Sequence, residues 1–67
     1  MKVLRLKEVS NLTGLARSTI YAKMAIQQFP QNLSLGGRAT GWIESEIFAW
    51  IDQRIEERDQ QIEAKKK

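Results

Sequence analysis

Basic and hydroxyl side chains are concentrated just after a short polar turn in the first half of the chain. They are Arg17, Ser18, Thr19, Tyr21 and Lys23. At the start of a helix, free N–H groups and the helix dipole attract phosphate, and an arginine can bind guanine through two hydrogen bonds. These residue types in this order indicate contact with DNA. The alternative is that the hydroxyls only satisfy the helix end, and that the tyrosine is a half-buried core residue.

The composition argues against catalysis. The chain contains no cysteine and no histidine, so it lacks thiolate ligands and imidazole bases. Most of its acidic residues fall on one predicted helix, where a solvated surface is the simplest interpretation: Glu44, Glu46, Asp52, Glu56, Glu57 and Asp59. We therefore expect no enzyme activity, no catalytic residues, no metal, no cofactor and no small-molecule ligand.

The spacing of apolar residues predicts two short helices around the turn. The first, over residues 7–13, carries an apolar stripe of Leu6, Val9 and Leu12, and Gly14 suits the left-handed position after its end. The second, over residues 17–27, turns Ile20 and Met24 toward the core, with Ala16 and Ala25 as small neighbours. This order is that of a helix-turn-helix, with the second helix as the recognition helix.

A hairpin is predicted over residues 33–42. Leu33 and Leu35 alternate with polar residues, and Gly36-Gly37 is a strong turn signal because both glycines accept positive φ. Trp42 would anchor this hairpin, or wing, on the helices. Gly37 and Arg38 at its tip would contact the DNA backbone or the minor groove, although an ordinary surface turn is the alternative.

A third helix is predicted from residue 44 to 60 or beyond. Its apolar stripe is Ile43, Ile47, Trp50, Ile51 and Ile55. We expect one domain over residues 1–60 and a frayed basic tail over residues 61–67. Phe29, Trp42 and Trp50 are expected to pack in the core rather than to stack on bases.

The charge is unevenly distributed. Residues 1–42 hold six basic residues and one acidic residue, whereas residues 43–67 hold five basic and seven acidic residues. A basic first part favours a polyanionic partner, here double-stranded DNA, and Lys7 at the start of the first helix is a further candidate for backbone contact. No signal peptide or run of about 20 apolar residues is evident, so we expect a soluble cytoplasmic protein.

The full pattern closely resembles the AlpA family of prophage regulatory proteins, which are related to phage excisionases and to MerR-type proteins. The resemblance rests on Leu12-Thr13-Gly14-Leu15, Ser18-Thr19-Ile20-Tyr21, Phe29-Pro30, Leu35-Gly36, Arg38-Ala39, Gly41-Trp42, Ser45-Glu46-Ile47 and Trp50-Ile51. It implies a mainly α fold with a small β-hairpin, a winged helix-turn-helix, that binds DNA and controls phage-related genes.

The chain also departs from that family. Relatives usually have serine at position 16 and often a basic residue near positions 22, 25, 28, 31 and 34, where this chain has alanine, glutamine or serine. A missing cap and missing phosphate contacts would weaken DNA binding, which favours a homo-oligomer on DNA.

Two alternatives stay open at this stage. An architectural protein that bends DNA for an integrase, as excisionases do, would use the same fold and contacts. A protein-interaction module is the alternative of another class, because Ile51, Ile55 and Ile62 approach a heptad pattern that Arg58 interrupts.

Overall fold

A computed structural model describes the backbone of residues 2–65 and the side chains of residues 2–62. In chain order, its elements are β1 (Val3–Leu4), α1 (Leu6–Thr13), α2 (Arg17–Ala25), β2 (Leu33–Gly36), β3 (Ala39–Ile43) and α3 (Glu44–Lys65). Three helices with a small antiparallel sheet confirm the predicted fold class, a winged helix-turn-helix.

The sheet has one strand more than the predicted hairpin. Its order is β1-β3-β2, with both pairings antiparallel, and Leu4 of β1 lies opposite Trp42 of β3. A Cβ atom on Gly41 would lie 2.5 Å from Val3 Cγ1 and 2.9 Å from the Leu4 carbonyl oxygen. Glycine is therefore required where β1 runs beside β3.

A small core joins the sheet to all three helices. Its buried members are Leu4, Val9, Ile20, Phe29, Trp42 and Ile47, with Leu6, Leu15, Met24, Trp50 and Ile51 packed around them. The predicted core positions of Phe29 and Trp42 are confirmed, and Trp50 is half-buried beside Phe29.

Both tryptophans hold the loop that follows α2 through hydrogen bonds from their indole N–H groups. Trp42 Nε1 donates a hydrogen bond to the Pro30 carbonyl (3.0 Å), and Trp50 Nε1 donates one to the Gln28 carbonyl (2.9 Å). The Phe29 and Trp50 rings meet edge to face with centroids 4.9 Å apart. The loop is therefore held by the strand on one side and by α3 on the other.

Helix α2 ends at Ala25, two residues before the predicted end. Gln27 adopts a left-handed φ of 59°, its N–H donates to the Met24 carbonyl (3.1 Å), and the Gln28 N–H donates to the Lys23 carbonyl (2.8 Å). This is the Schellman closure, which usually has glycine at the left-handed position. The sequence has no glycine there, so the pattern extended the helix too far.

Two residues of the predicted apolar stripes are exposed, Leu12 of α1 and Ile55 of α3. The prediction that these stripes are buried along their whole length was wrong, because 67 residues offer too little inner surface to cover every apolar stripe. Ala16, Ala25 and all of β2 also lie on the surface. The hairpin reaches the core through Trp42 of β3.

Helix α3 continues to Lys65, past the expected domain boundary at residue 60. That boundary stays a prediction, and the last two residues of the expected basic tail, Lys66 and Lys67, lie outside the described part of the chain. In the part that is described, no helix is both long enough and apolar enough to cross a membrane.

Candidate nucleic-acid interface

Hydrogen bonds fix the turn between α1 and α2. Gly14 has a φ of 72°, and its N–H donates to the Ser10 carbonyl (2.8 Å). Ser10 Oγ donates to the Leu15 carbonyl (2.7 Å), while Thr13 Oγ1 donates to the Val9 carbonyl (2.8 Å) and accepts from the Leu15 N–H (3.2 Å). This network sets the angle at which α2 leaves α1.

The N-terminus of α2 carries no side-chain cap. Its cap residue is Ala16, whose carbonyl accepts from the Ile20 N–H (3.0 Å) but whose side chain has no acceptor. The N–H groups of a first helical turn have no partner within the helix itself. Those of Arg17, Ser18 and Thr19 are therefore available to an anion.

Arg17 and Tyr21 form one edge of α2. The Arg17 guanidinium carbon lies 5.8 Å from the centroid of the Tyr21 ring, a cation–π arrangement. The Tyr21 ring in turn lies 6.4 Å from the Trp42 ring at an interplanar angle of 56°. Tyr21 is 36% exposed, so its ring rests on the core while its edge faces solvent. Sequence reasoning missed the Arg17–Tyr21 pair, although their spacing of four residues was the signal for it.

Lys23 lies on the other flank of α2. It is half-buried and lines the same two surface cavities as Trp50 and Arg54 of α3. Between the two flanks, the outward face of α2 presents Ser18, Ala22 and Ala25, all exposed. The residues of α2 that were predicted to contact DNA thus lie on two flanks of the helix. Lys23 faces toward α3, whereas Arg17 and Tyr21 face toward β3.

The wing presents the second part of the site. Gly36 and Gly37 have φ angles of 107° and 57°, as the turn signal predicted, and the pairing with β3 shifts register between Ser34 and Gly36. Gly37 and Arg38 form the exposed turn. The tip therefore carries one cation on a backbone that leaves room for close approach.

The basic residues that were predicted to contact DNA take no part in the ion pairs found in the described part of the chain. Those pairs are Lys2–Glu44, Arg54–Glu57 and Arg58–Asp59. Lys7, Arg17 and Arg38 are exposed and Lys23 half-buried, and none of them takes part. Among described residues, no trio of histidine, cysteine, aspartate or glutamate is grouped to hold a metal.

The sequence matches a known protein family over most of its length. The sequence profile of the family described as prophage CP4-57 regulatory protein (AlpA) matches residues 2–55. The chain belongs to the AlpA family. The match runs from β1 into the middle of α3, so it includes both the helix-turn-helix and the wing.

Two curated relatives of this AlpA-family chain come from a phage and a bacterium. The uncharacterized protein ORF88 of Enterobacteria phage P4 is 46% identical over 54 residues, which cover 81% of this chain and 61% of the phage protein. The DNA-binding transcriptional activator AlpA of Escherichia coli K12 is 40% identical over 60 residues, covering 81% of this chain and 86% of that protein. The chain thus spans about three fifths of the phage relative.

Proposed function

We propose that this AlpA-family chain binds duplex DNA sequence-specifically and regulates transcription of phage- or prophage-related genes. The family and the name of the Escherichia coli relative support this function. The observation that carries the proposal is the edge of α2, where Arg17 rests on Tyr21 beside a helix N-terminus that has no side-chain cap.

In this proposal α2 enters the major groove. Its first-turn N–H groups bind a backbone phosphate, which fixes the register of the helix on the duplex. Arg17 then donates two hydrogen bonds to a guanine, and Ser18 and Thr19 contact a phosphate or a base edge. The small face of Ser18, Ala22 and Ala25 allows the helix to lie close to the bases.

The wing and the flanking lysines hold the backbone. Arg38 at the wing tip reaches the adjacent minor groove or its phosphates, where negative potential favours arginine. Lys7 and Lys23 contact phosphates on either side of the groove. Replacing Arg38 with alanine should therefore weaken binding to all sequences alike and reduce the slope of log K against log salt by about 0.9.

Selection of bound duplexes from a random pool tests the function. We expect one enriched motif, and we expect a variant with Arg17→Ala and Thr19→Ala to lose that preference while its circular dichroism spectrum is unchanged. Lys2→Ala, which removes a cation paired with Glu44, is the matched control and should retain the motif. Absence of any enriched motif, or its retention by the double variant, would refute the proposed recognition helix.

A second assay separates transcriptional control from an architectural role. The selected site is placed at different positions in a DNA fragment, and gel mobility is measured with the protein bound. Position-independent mobility with an active promoter reporter supports regulation by recognition alone. Strong position dependence without a reporter response supports the excisionase-like alternative.

A further inference from the structure

Helix α3 has an exposed apolar stripe beside its core-facing side. Phe48, Ile55 and Ile62 are 45%, 40% and 45% exposed and follow one another at intervals of seven residues. We call these three residues the outer stripe. The adjoining side of the same helix packs against the domain through Ile47, Trp50 and Ile51, and Ile55 lines a surface cavity with Trp50 and with Leu12 of α1.

The second half of α3 extends from the domain. All residues from Asp52 to Ile62 are exposed, and the family match ends at residue 55. The helix has 22 residues, so it is about 33 Å long. A helical segment of roughly ten residues has little stability of its own in water, and packing on a partner would provide it.

We propose that the outer stripe binds the outer stripe of a second copy of this chain, with the two α3 helices parallel and in register. A seven-residue repeat is the spacing of a two-stranded coiled coil. It places Phe48, Ile55 and Ile62 at position a. Position d holds Arg58 and Ile51, and Ile51 is half-buried against the domain, so only its exposed part is free for a partner. The seam is short, and Arg58 weakens it, so association should depend on protein concentration.

The charges beside the stripe select the parallel orientation. Arg54 occupies position g and Asp59 position e, and in a parallel pair a g residue lies opposite the e residue five positions further along the other helix. Arg54 of each copy therefore meets Asp59 of the other, in exchange for the exposed ion pairs that these residues form with Glu57 and Arg58 within one chain. In an antiparallel pair, position e of one helix lies opposite position e of the other. Asp52 and Asp59 of one copy would then lie beside Asp59 and Asp52 of the second copy, and their negative charges would repel.

This surface is separate from most of the proposed DNA contacts. The outer stripe lies on α3, whereas Arg17, Tyr21 and Arg38 lie on α2 and the wing. Lys23 is the proposed contact that lies beside it, because it lines a surface cavity together with Ile55. Two copies joined in this way would present two recognition helices to a repeated half-site, which would offset the small number of phosphate contacts that each copy makes.

The first test measures the mass of the full chain without DNA by sedimentation equilibrium, from about 10 to 500 µM. We expect a monomer–dimer equilibrium, and we expect Ile55→Ser or Ile62→Ser to raise its dissociation constant about tenfold or more. Ile26→Ser is the matched control, because Ile26 is 63% exposed on a different element. A monomer throughout the range, or an equal effect of Ile26→Ser, would overturn the proposal.

The second test measures orientation by exchanging charges. Arg54→Glu and Asp59→Arg should each weaken the dimer, and the variant carrying both should recover the original dissociation constant within about threefold. A stronger dimer with Asp59→Arg alone would mean an antiparallel pair and would overturn the parallel arrangement. Circular dichroism of each variant confirms that the monomer is folded, so a change in mass reports on association.

Discussion

The Arg17 guanidinium lies over the Tyr21 ring at 5.8 Å, and that ring lies 6.4 Å from the buried Trp42 ring. An exposed cation is thereby connected to the centre of the core through one aromatic side chain. The position of Arg17 on the surface thus depends on the packing of β3 as well as on the helix that carries it.

Tyr21 is expected to support DNA binding through its ring. Tyr21→Ala removes the surface on which Arg17 rests, so affinity for the selected duplex should fall about three- to fivefold, equivalent to roughly 0.5–1 kcal/mol. Tyr21→Phe keeps the ring and should bind within about twofold of the parent. Fluorescence anisotropy measures both, and an unchanged affinity for Tyr21→Ala would show that the ring contact does not position Arg17.

Helix α2 begins without a side-chain cap, so a capping residue at position 16 should stabilise the fold. Ala16→Ser supplies an acceptor for a first-turn N–H and should raise the free energy of unfolding by about 1 kcal/mol. Ala22→Ser, at an exposed position within the same helix, is the control and should lower it by a few tenths of a kcal/mol. Urea denaturation gives both values. Equal changes for the two variants would contradict the assignment of Ala16 as the cap.

The end of α2 stores strain at Gln27. Gln27→Gly relieves the left-handed φ of 59° and should stabilise the fold by about 1 kcal/mol. Gln53→Gly, at an exposed position inside α3, should instead destabilise it by roughly the same amount. Thermal unfolding distinguishes the two signs, and destabilisation by Gln27→Gly would mean that α2 does not end in this closure.

Gly41 should be intolerant of any side chain. Gly41→Ala places a methyl group against Val3 and the Leu4 carbonyl, and we expect a loss of about 1–3 kcal/mol through displacement of β1. Ser45→Ala, at an exposed position in the first turn of α3, should change stability by less than about 0.5 kcal/mol. Denaturant midpoints compare them; a neutral Gly41→Ala would indicate that β1 is not paired as described.

Two features that the sequence predicted correctly are marked by glycines, which have special backbone freedom. Gly14 ends α1 and Gly36-Gly37 form the wing turn, each with the positive φ that the glycine signal implied. The end of α2 was predicted wrongly because Gln27 adopts a positive φ there, and glutamine gives no signal for that conformation.

The division of the candidate site follows from helix geometry and packing together. Arg17 and Lys23 are six residues apart, which separates them by about 120° around the helix axis. That angle was available from the sequence. Which flank faces the wing and which faces α3 depends on contacts of Tyr21 with Trp42 and of Phe29 with Trp50, and local patterns do not specify such pairings.

Titration of the ¹⁵N-labelled chain with its selected duplex, followed by amide chemical shifts, tests the central claim most directly. We predict saturable changes concentrated at residues 17–21 and at Gly37 and Arg38, with residues 56–62 of α3 little affected at concentrations where the chain is monomeric. Changes confined to α3, or changes at α2 that are the same with an unrelated duplex, would contradict specific recognition by the Arg17 edge of α2.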